Sequence, residues 1–175
     1  MYEKYERKTS ISKKKVRAQV LFMDLLKERA ETGRIYIMNI DHCNTHSSFK
    51  DKVYMSNLCQ EITLPTTPIK HIDDPDGEIA LCILSAINLG LIKEKDELKD
   101  LCDLSVRALE EVIDYQEYPV EAAKKSTLAR RSLGIGYIGL AHFLAKNKVK
   151  YDDKEAWKLV DEITEAFQYL SLIHI

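Results

Sequence analysis

The 175-residue sequence predicts an α/β fold with parallel strand pairing, and three observations carry that prediction. Two stretches, Arg34 to Ile40 and Glu78 to Leu84, are short and rich in β-branched or apolar residues, as strands are. Long stretches with apolar residues at helical spacing lie before, between and after them, above all Asp96 to Tyr115. Strands separated by helices pair in parallel more readily than strands joined by tight turns.

Taken in order, Ser12 is a candidate cap for a helix running to about Thr32, with Val16, Val20, Leu21, Leu25 and Leu26 as its apolar stripe. Gly33 suits a left-handed helix end. Arg34 to Ile40 reads as the first strand, and Asp41 to Tyr54 as a polar loop. Leu58 to Leu64 reads as extended until Pro65 and Pro68 stop it. Asp73 to Gly77 is a turn cluster, followed by the second strand, Glu78 to Leu84. Asp96 to Tyr115 is an amphipathic helix, with Leu98, Leu101, Cys102 and Val112 assigned to its apolar face. Tyr118-Pro119 interrupts, a polar helix covers Val120 to Ala129, and a short apolar helix covers Tyr137 to Lys146. The last helix starts at Asp152 or Asp153, with Asp152 and Glu155 spaced as a capping box.

Composition narrows the function classes. The chain is 45% hydrophobic and 31% charged, an ordered, globular balance. A net charge of −2 supplies no basic field for nucleic acid. No apolar run reaches membrane-spanning length, and the first residues form no apolar signal region. Four cysteines without such a signal fit a reducing cytoplasm, where thiols are catalytic or buried rather than paired for structure.

The chemistry concentrates in Ser56-Asn57-Leu58-Cys59-Gln60-Glu61. Asn57, Cys59 and Glu61 stand two residues apart. On extended backbone they share one face, each roughly 6 to 7 Å from the next. An amide, a thiol and a carboxyl together supply a hydrogen-bonding group, a redox-active sulfur and a proton acceptor.

The longer run from Ser56 to Thr67, followed by Gly77-Glu-Ile-Ala-Leu-Cys-Ile-Leu-Ser-Ala-Ile-Asn-Leu-Gly90, resembles the large catalytic subunit of class I ribonucleotide reductase, of bacterial or phage type. Gly33-Arg-Ile-Tyr-Ile-Met-Asn-Ile-Asp-His-Cys-Asn-Thr-His46 and Arg130-Arg-Ser-Leu-Gly-Ile-Gly-Tyr-Ile-Gly139 resemble the same family. The likeness runs from about Tyr2 to about Tyr169. It implies that residues 1–175 are one partial segment of a ten-stranded α/β barrel with flanking helices. On that reading the allosteric N-terminal domain and the C-terminal part lie outside the segment.

The resemblance assigns roles by position. Cys59 becomes a thiyl radical that removes the 3′ hydrogen of a ribonucleoside diphosphate. Glu61 takes the 3′-hydroxyl proton, and Asn57 hydrogen-bonds the sugar; all three also bind substrate. Cys82 is one of two cysteines that end as a disulfide, its partner lying outside this chain. It implies no cofactor or metal on this segment: the radical comes from the metal cofactor of a small subunit, and ATP and deoxynucleotide effectors bind elsewhere. The implied partners are substrate, small subunit, thioredoxin or glutaredoxin, and a second large subunit or the missing remainder of this one. Neither membrane nor nucleic acid is expected, and the place is the cytoplasm, or the host cytoplasm for a phage protein.

Other motifs read differently. Cys82 taken alone, inside Ile79 to Leu84, is a small core hydrophobe. Cys102 is core filler. His42-Cys43-Asn44-Thr45-His46 has poor spacing for zinc and no further ligands, so no metal is assigned. Gly134-Ile-Gly136-Tyr-Ile-Gly139 matches a dinucleotide fingerprint, but no buried strand is expected before it; close packing in the barrel wall accounts for these glycines better. Arg130 and Arg131 read as a solvated or salt-bridged pair rather than a phosphate site. The final stretch, Ser171 to Ile175, drifts from the family and stops mid-helix, as in a split or interrupted reading frame. The segment is therefore expected to be inactive alone. The alternative from another class is a truncated assembly module that complements a separately encoded remainder.

Overall fold

A computed structural model describes residues 2–94 and 96–173. The chain divides into two compact units: Met1–Ser48 with Met55–Thr63, and Phe49–Tyr54 with Leu64–Ile175.

The first unit holds three helices, α1 (Tyr2–Glu6), α2 (Ala18–Thr32) and α3 (Ile40–Thr45). Gly33 ends α2 as expected, with φ 66° and its N–H on the Arg29 carbonyl at 2.9 Å. The helix starts later than Ser12. Lys13, Lys14 and Lys15 would crowd positive charge at its N-terminus, the end the helix dipole already makes positive. Arg34 to Ile40 forms no strand. The Ile35 carbonyl takes a hydrogen bond from Arg29 at 2.7 Å, and the backbone enters α3 at Ile40. A strand needs a ladder partner, and none pairs with this stretch among the described residues. The predicted loop from Asp41 therefore opens with helix.

In the second unit, β1 (Ile83–Asn88) leads through a 3₁₀ turn, Leu89–Leu91, to α4 (Glu97–Tyr115) and α5 (Glu121–Arg130). Then come β2 (Leu133–Ile138), α6 (Leu140–Lys146) and α7 (Lys154–Leu172). β1 and β2 pair in parallel, from Ile83 beside Leu133 to Asn88 beside Ile138, as α/β connectivity predicts. The second strand begins five residues later than expected. Glu78 bridges Thr67, and the Ile79 N–H bonds Ala122 of α5, so this backbone is engaged before the ladder opens.

β2 was expected partly as helix. Its small and large residues alternate, with Gly134 and Gly136 on one face and Leu133, Ile135 and Tyr137 on the other. That period of two is the strand signal. Gly139 follows with φ 75° and starts α6. Asp153 rather than Asp152 precedes α7, and its carboxylate accepts the Lys150 N–H at 3.2 Å; no capping box forms. The expected uncapped stop involves His174 and Ile175, outside the described residues.

α4 and α7 cover one face of the sheet. Ile87, Leu89, Leu98, Cys102, Ile163 and Phe167 form the core, and the Tyr137 and Phe167 rings meet edge to face with centroids 5.9 Å apart. Within α4 the buried positions are Leu98, Cys102, Val106, Leu109 and Ile113, a stripe of 3- and 4-residue steps. Val112, assigned to that face, lies off it and is exposed, while Leu101 packs at its margin. Leu98→Ala should cost about 2–5 kcal/mol as an unfilled cavity. Leu104→Ala, on the 64% exposed flank, should change stability by no more than about 0.5 kcal/mol. Urea midpoints of the two variants against the parent check this.

The turn cluster is organised by a buried carboxylate. Asp74 is 3% exposed and accepts the Lys70 N–H at 2.9 Å and the Asp76 N–H at 3.0 Å. These backbone donors, Lys70 first, hold its pKa below the usual carboxylate value. Because folding lowers this pKa, the contribution is complete above the ordinary carboxylate range and fades as pH falls through the folded value. The stability gap between the parent and Asp74→Asn should therefore be widest near neutrality and narrow below about pH 4. Denaturant titrations across that range measure it.

Candidate active site

Asn57, Cys59 and Glu61 lie in the first unit, on a tight turn rather than on a strand. The Asn57 carbonyl accepts the Gln60 N–H at 3.2 Å, which puts Leu58 and Cys59 at the two central positions. Gln60 follows with φ 65°, left-handed backbone that glutamine rarely adopts. The extended reading of Leu58 to Leu64 is thus corrected at its start, and strict alternation no longer orders the three side chains. Gln60 carries no sequence signal for this, since glycine or asparagine is the usual left-handed residue.

The turn is pinned by Asn57. Its Oδ1 accepts the Ile62 N–H at 3.0 Å, and its own N–H reaches the Ile62 carbonyl at 3.4 Å. Ser56 Oγ donates to the Asn57 carbonyl at 2.9 Å. Asn57 spends its amide oxygen on the backbone and keeps Nδ2 as a donor. Cys59 and Glu61 are exposed; Leu58 is 82% exposed. The arrangement offers a thiol at the apex of a constrained loop, with a carboxylate beyond it and an amide donor before it.

Cys82 lies in the second unit, just before β1, and is half-buried. Its Sγ faces the Ile83 carbonyl at 3.9 Å. The registered pairs Leu84–Gly134, Ala86–Gly136 and Asn88–Ile138 occupy the sheet face opposite the core, where Leu84 is 58% and Ile138 55% exposed. Cys82, two residues before Leu84, follows that face. Cys82 is therefore no core filler on the α4 side, where Cys102 is: Cys102 is fully buried and burial pushes its thiol above the ordinary value.

The remaining motifs resolve locally. His46 Nδ1 sits 3.0 Å from the His42 carbonyl and 3.0 Å from Thr45 Oγ1, inside the α3 end. Arg130 binds Glu78 at 2.9 Å and Asp51 at 3.1 Å. Arg131 binds Asp114 at 2.9 Å through two nitrogens and also binds Glu110; these acids raise its pKa, Asp114 most. Both arginines are tied to carboxylates, as expected. Of the three fingerprint glycines, Gly134 and Gly136 lie within β2 and only Gly139 stands at the strand-to-helix turn. A phosphate-cradling loop would need the first two after the strand. A Cβ on Gly139 would fall 2.4 Å from Asn88 Oδ1, which accepts the Gly90 N–H at 3.1 Å.

A family profile described as "Ribonucleotide reductase, barrel domain" matches residues 1–173. The chain belongs to the ribonucleotide reductase family. It is 56% identical to the ribonucleoside-diphosphate reductase subunit alpha of Buchnera aphidicola from Schizaphis graminum, over 98% of this chain and 23% of that protein. The Haemophilus influenzae subunit alpha is 57% identical over the same shares, 98% and 23%. Among solved structures, the class Id ribonucleotide reductase alpha subunit of Actinobacillus ureae superposes with a TM-score of 0.69 at 26% identity, covering 88% of this chain and 30% of that one. The chain spans about 23% of the length of these curated relatives. Its fold is a partial, unclosed segment of the family's barrel, with β1 and β2 as adjacent parallel strands.

Asn57 can be dissected by substitution. Asn57→Ala removes the acceptor for the Ile62 N–H and should destabilise the turn by about 0.5–1.5 kcal/mol. Asn57→Asp keeps an acceptor there and should retain the turn. Amide hydrogen exchange at Ile62 reads the outcome: fast in the alanine variant, near the parental rate in the aspartate variant.

Proposed function

We propose that this chain is a catalytic-barrel segment of a ribonucleoside-diphosphate reductase large subunit, working on a ribonucleoside diphosphate in the cytoplasm. Cys59 acts as the thiyl that removes the 3′ hydrogen of the ribose. Glu61 accepts the 3′-hydroxyl proton, and Asn57 Nδ2 donates to the sugar. The 2′-hydroxyl leaves as water, and Cys82 with a second cysteine supplies two electrons and ends as a disulfide. The residues of this chain hold no cofactor in this scheme; the radical is delivered by a small subunit carrying a metal cofactor. Thioredoxin or glutaredoxin restores the thiols, a second large subunit completes the dimer, and ATP and deoxynucleotides act at allosteric sites on other segments.

One observation carries the reading: an exposed thiol at the apex of a hydrogen-bonded turn, bracketed by Asn57 and Glu61, in a chain matched by the family's barrel domain over residues 1–173. A thiyl needs a dry, shaped pocket around it to keep side reactions down, and the first requirement on this chain is that the sulfur be presented to such a pocket. A turn apex presents the sulfur while its own backbone stays hydrogen-bonded. The left-handed Gln60 is the kind of backbone strain that persists where surrounding contacts over-determine it. No helix among the described residues is long and apolar enough to cross a membrane.

In the complete subunit, Cys59→Ser should cut turnover by at least about 10³-fold while leaving nucleotide binding at its parental strength. Equilibrium binding and deoxynucleotide formation, measured on the same preparation, test this. Retained turnover ends the assignment.

A further inference from the structure

Gly134 is glycine for a reason other than backbone conformation. Only Gly33 and Gly139 among the glycines adopt left-handed φ. Gly134 lies inside β2, beside Leu84 of β1, where glycine is a poor strand former and costs about 0.5–1 kcal/mol relative to alanine. The reason is room. A Cβ built on Gly134 would stand 2.4 Å from Leu84 Cδ2 and 3.2 Å from Cys82 Sγ. Gly136, two residues along the same face, gives a contrast: its Cβ would meet only the Ser85 carbonyl, at 4.0 Å. Two neighbouring glycines on one strand therefore differ. One site is open to a methyl, and the other is occupied by a leucine methyl and a thiol.

We propose that Gly134 is a positioning residue for Cys82: the missing side chain lets the Cys82 sulfur and the Leu84 δ-methyl lie over β2 on the outer sheet face, and that seat sets the direction in which the sulfur meets a second thiol. The inference rests on the redox role given to Cys82 above. In that step two thiols lose two hydrogens and join as one S–S bond. The substrate's 2′ C–OH becomes C–H, its oxygen leaves as water, and the ribonucleotide is the oxidant. A disulfide requires the two Cβ atoms to come within about 3.5–4.5 Å. A methyl 3.2 Å from Sγ must push the sulfur aside by a few tenths of an ångström and so turns it away from the direction in which it meets the second thiol. Leu84, 58% exposed, is free to swing its δ-methyl outward, so the sulfur bears the persistent part of the conflict.

The test uses four variants, Gly134→Ala, Gly136→Ala, Leu84→Ala and the Leu84→Ala/Gly134→Ala pair. Alkylation of Cys82 by iodoacetamide is followed peptide by peptide in the 175-residue chain, and kcat and KM are followed in the complete subunit. Gly134→Ala should slow both Cys82 alkylation and kcat by roughly tenfold at unchanged KM, as small misplacements of reacting groups do. Gly136→Ala should match the parent. The double variant, freed of the Leu84 conflict, should keep the full loss relative to Leu84→Ala alone. If Gly134→Ala fails to fold, by circular dichroism, the double variant decides the matter in the same way. Parental alkylation in Gly134→Ala, or full recovery in the double variant, overturns the proposal. Normal turnover in Cys82→Ser would instead remove the redox role, with the alkylation result still standing on its own.

Discussion

The burial of one face of the β1–β2 pair under α4 and α7 governs everything else in the second unit. Two parallel strands alone leave too little apolar surface covered to hold a register. Here Ile87 of β1 and Ile135 and Tyr137 of β2 press against Leu98, Cys102, Ile163 and Phe167, so a slip of one residue would turn these side chains out and bring Ala86, Gly136 and Ile138 in. That constraint fixes which residues face outward. It is why Leu84 and Gly134 meet, and why the backbone leading into β1 carries Cys82 onto the outer face. The position of the sulfur is thus a consequence of packing on the other side of the sheet.

The same packing explains which parts of the fold were legible in the sequence. α4 reads clearly because its stripe is long, regular and wholly committed to the core. Gly33 reads clearly because a left-handed helix end has a strong residue preference. β2 was obscured because its glycines mimic a phosphate-loop motif and the helix that follows shares its apolar character. Only the alternation of Leu133, Ile135 and Tyr137 with glycine signals a strand. Arg34 to Ile40 misled in the opposite direction, having strand composition without a partner. Composition reports what a segment tolerates; a ladder depends on a second segment that local sequence does not name.

The candidate site divides along the same line. The identities of Asn57, Cys59, Glu61 and Cys82 stand out from the sequence, through residue chemistry and family likeness. Their geometry does not. Nothing in Asn57-Leu58-Cys59-Gln60 announces a turn followed by left-handed backbone, because the deciding bonds run to Ile62 and glutamine is an unusual choice for positive φ. Arg131 is the second example: an arginine at φ 46° ends α5, held by Asp114 and Glu110. In both places side-chain or backbone hydrogen bonds impose a conformation that local preference opposes, and local preference is what sequence patterns report.

The two sulfurs of interest also meet different mechanical conditions. Cys59 sits on a loop whose shape depends on a handful of hydrogen bonds, chiefly those of Asn57 with Gln60 and Ile62. Loosening any of them changes the direction of the thiol without disturbing a core. Cys82 sits at the root of a strand whose register is fixed by α4 and α7, so its direction is stiff and its access depends on which atoms share its face. The Cys59 thiol can therefore follow a change in its loop, whereas the Cys82 thiol keeps the direction that the packed sheet gives it. Gly134 belongs to the same arrangement, because a Cβ there would stand 2.4 Å from Leu84 Cδ2 and 3.2 Å from Cys82 Sγ and force one of them to move.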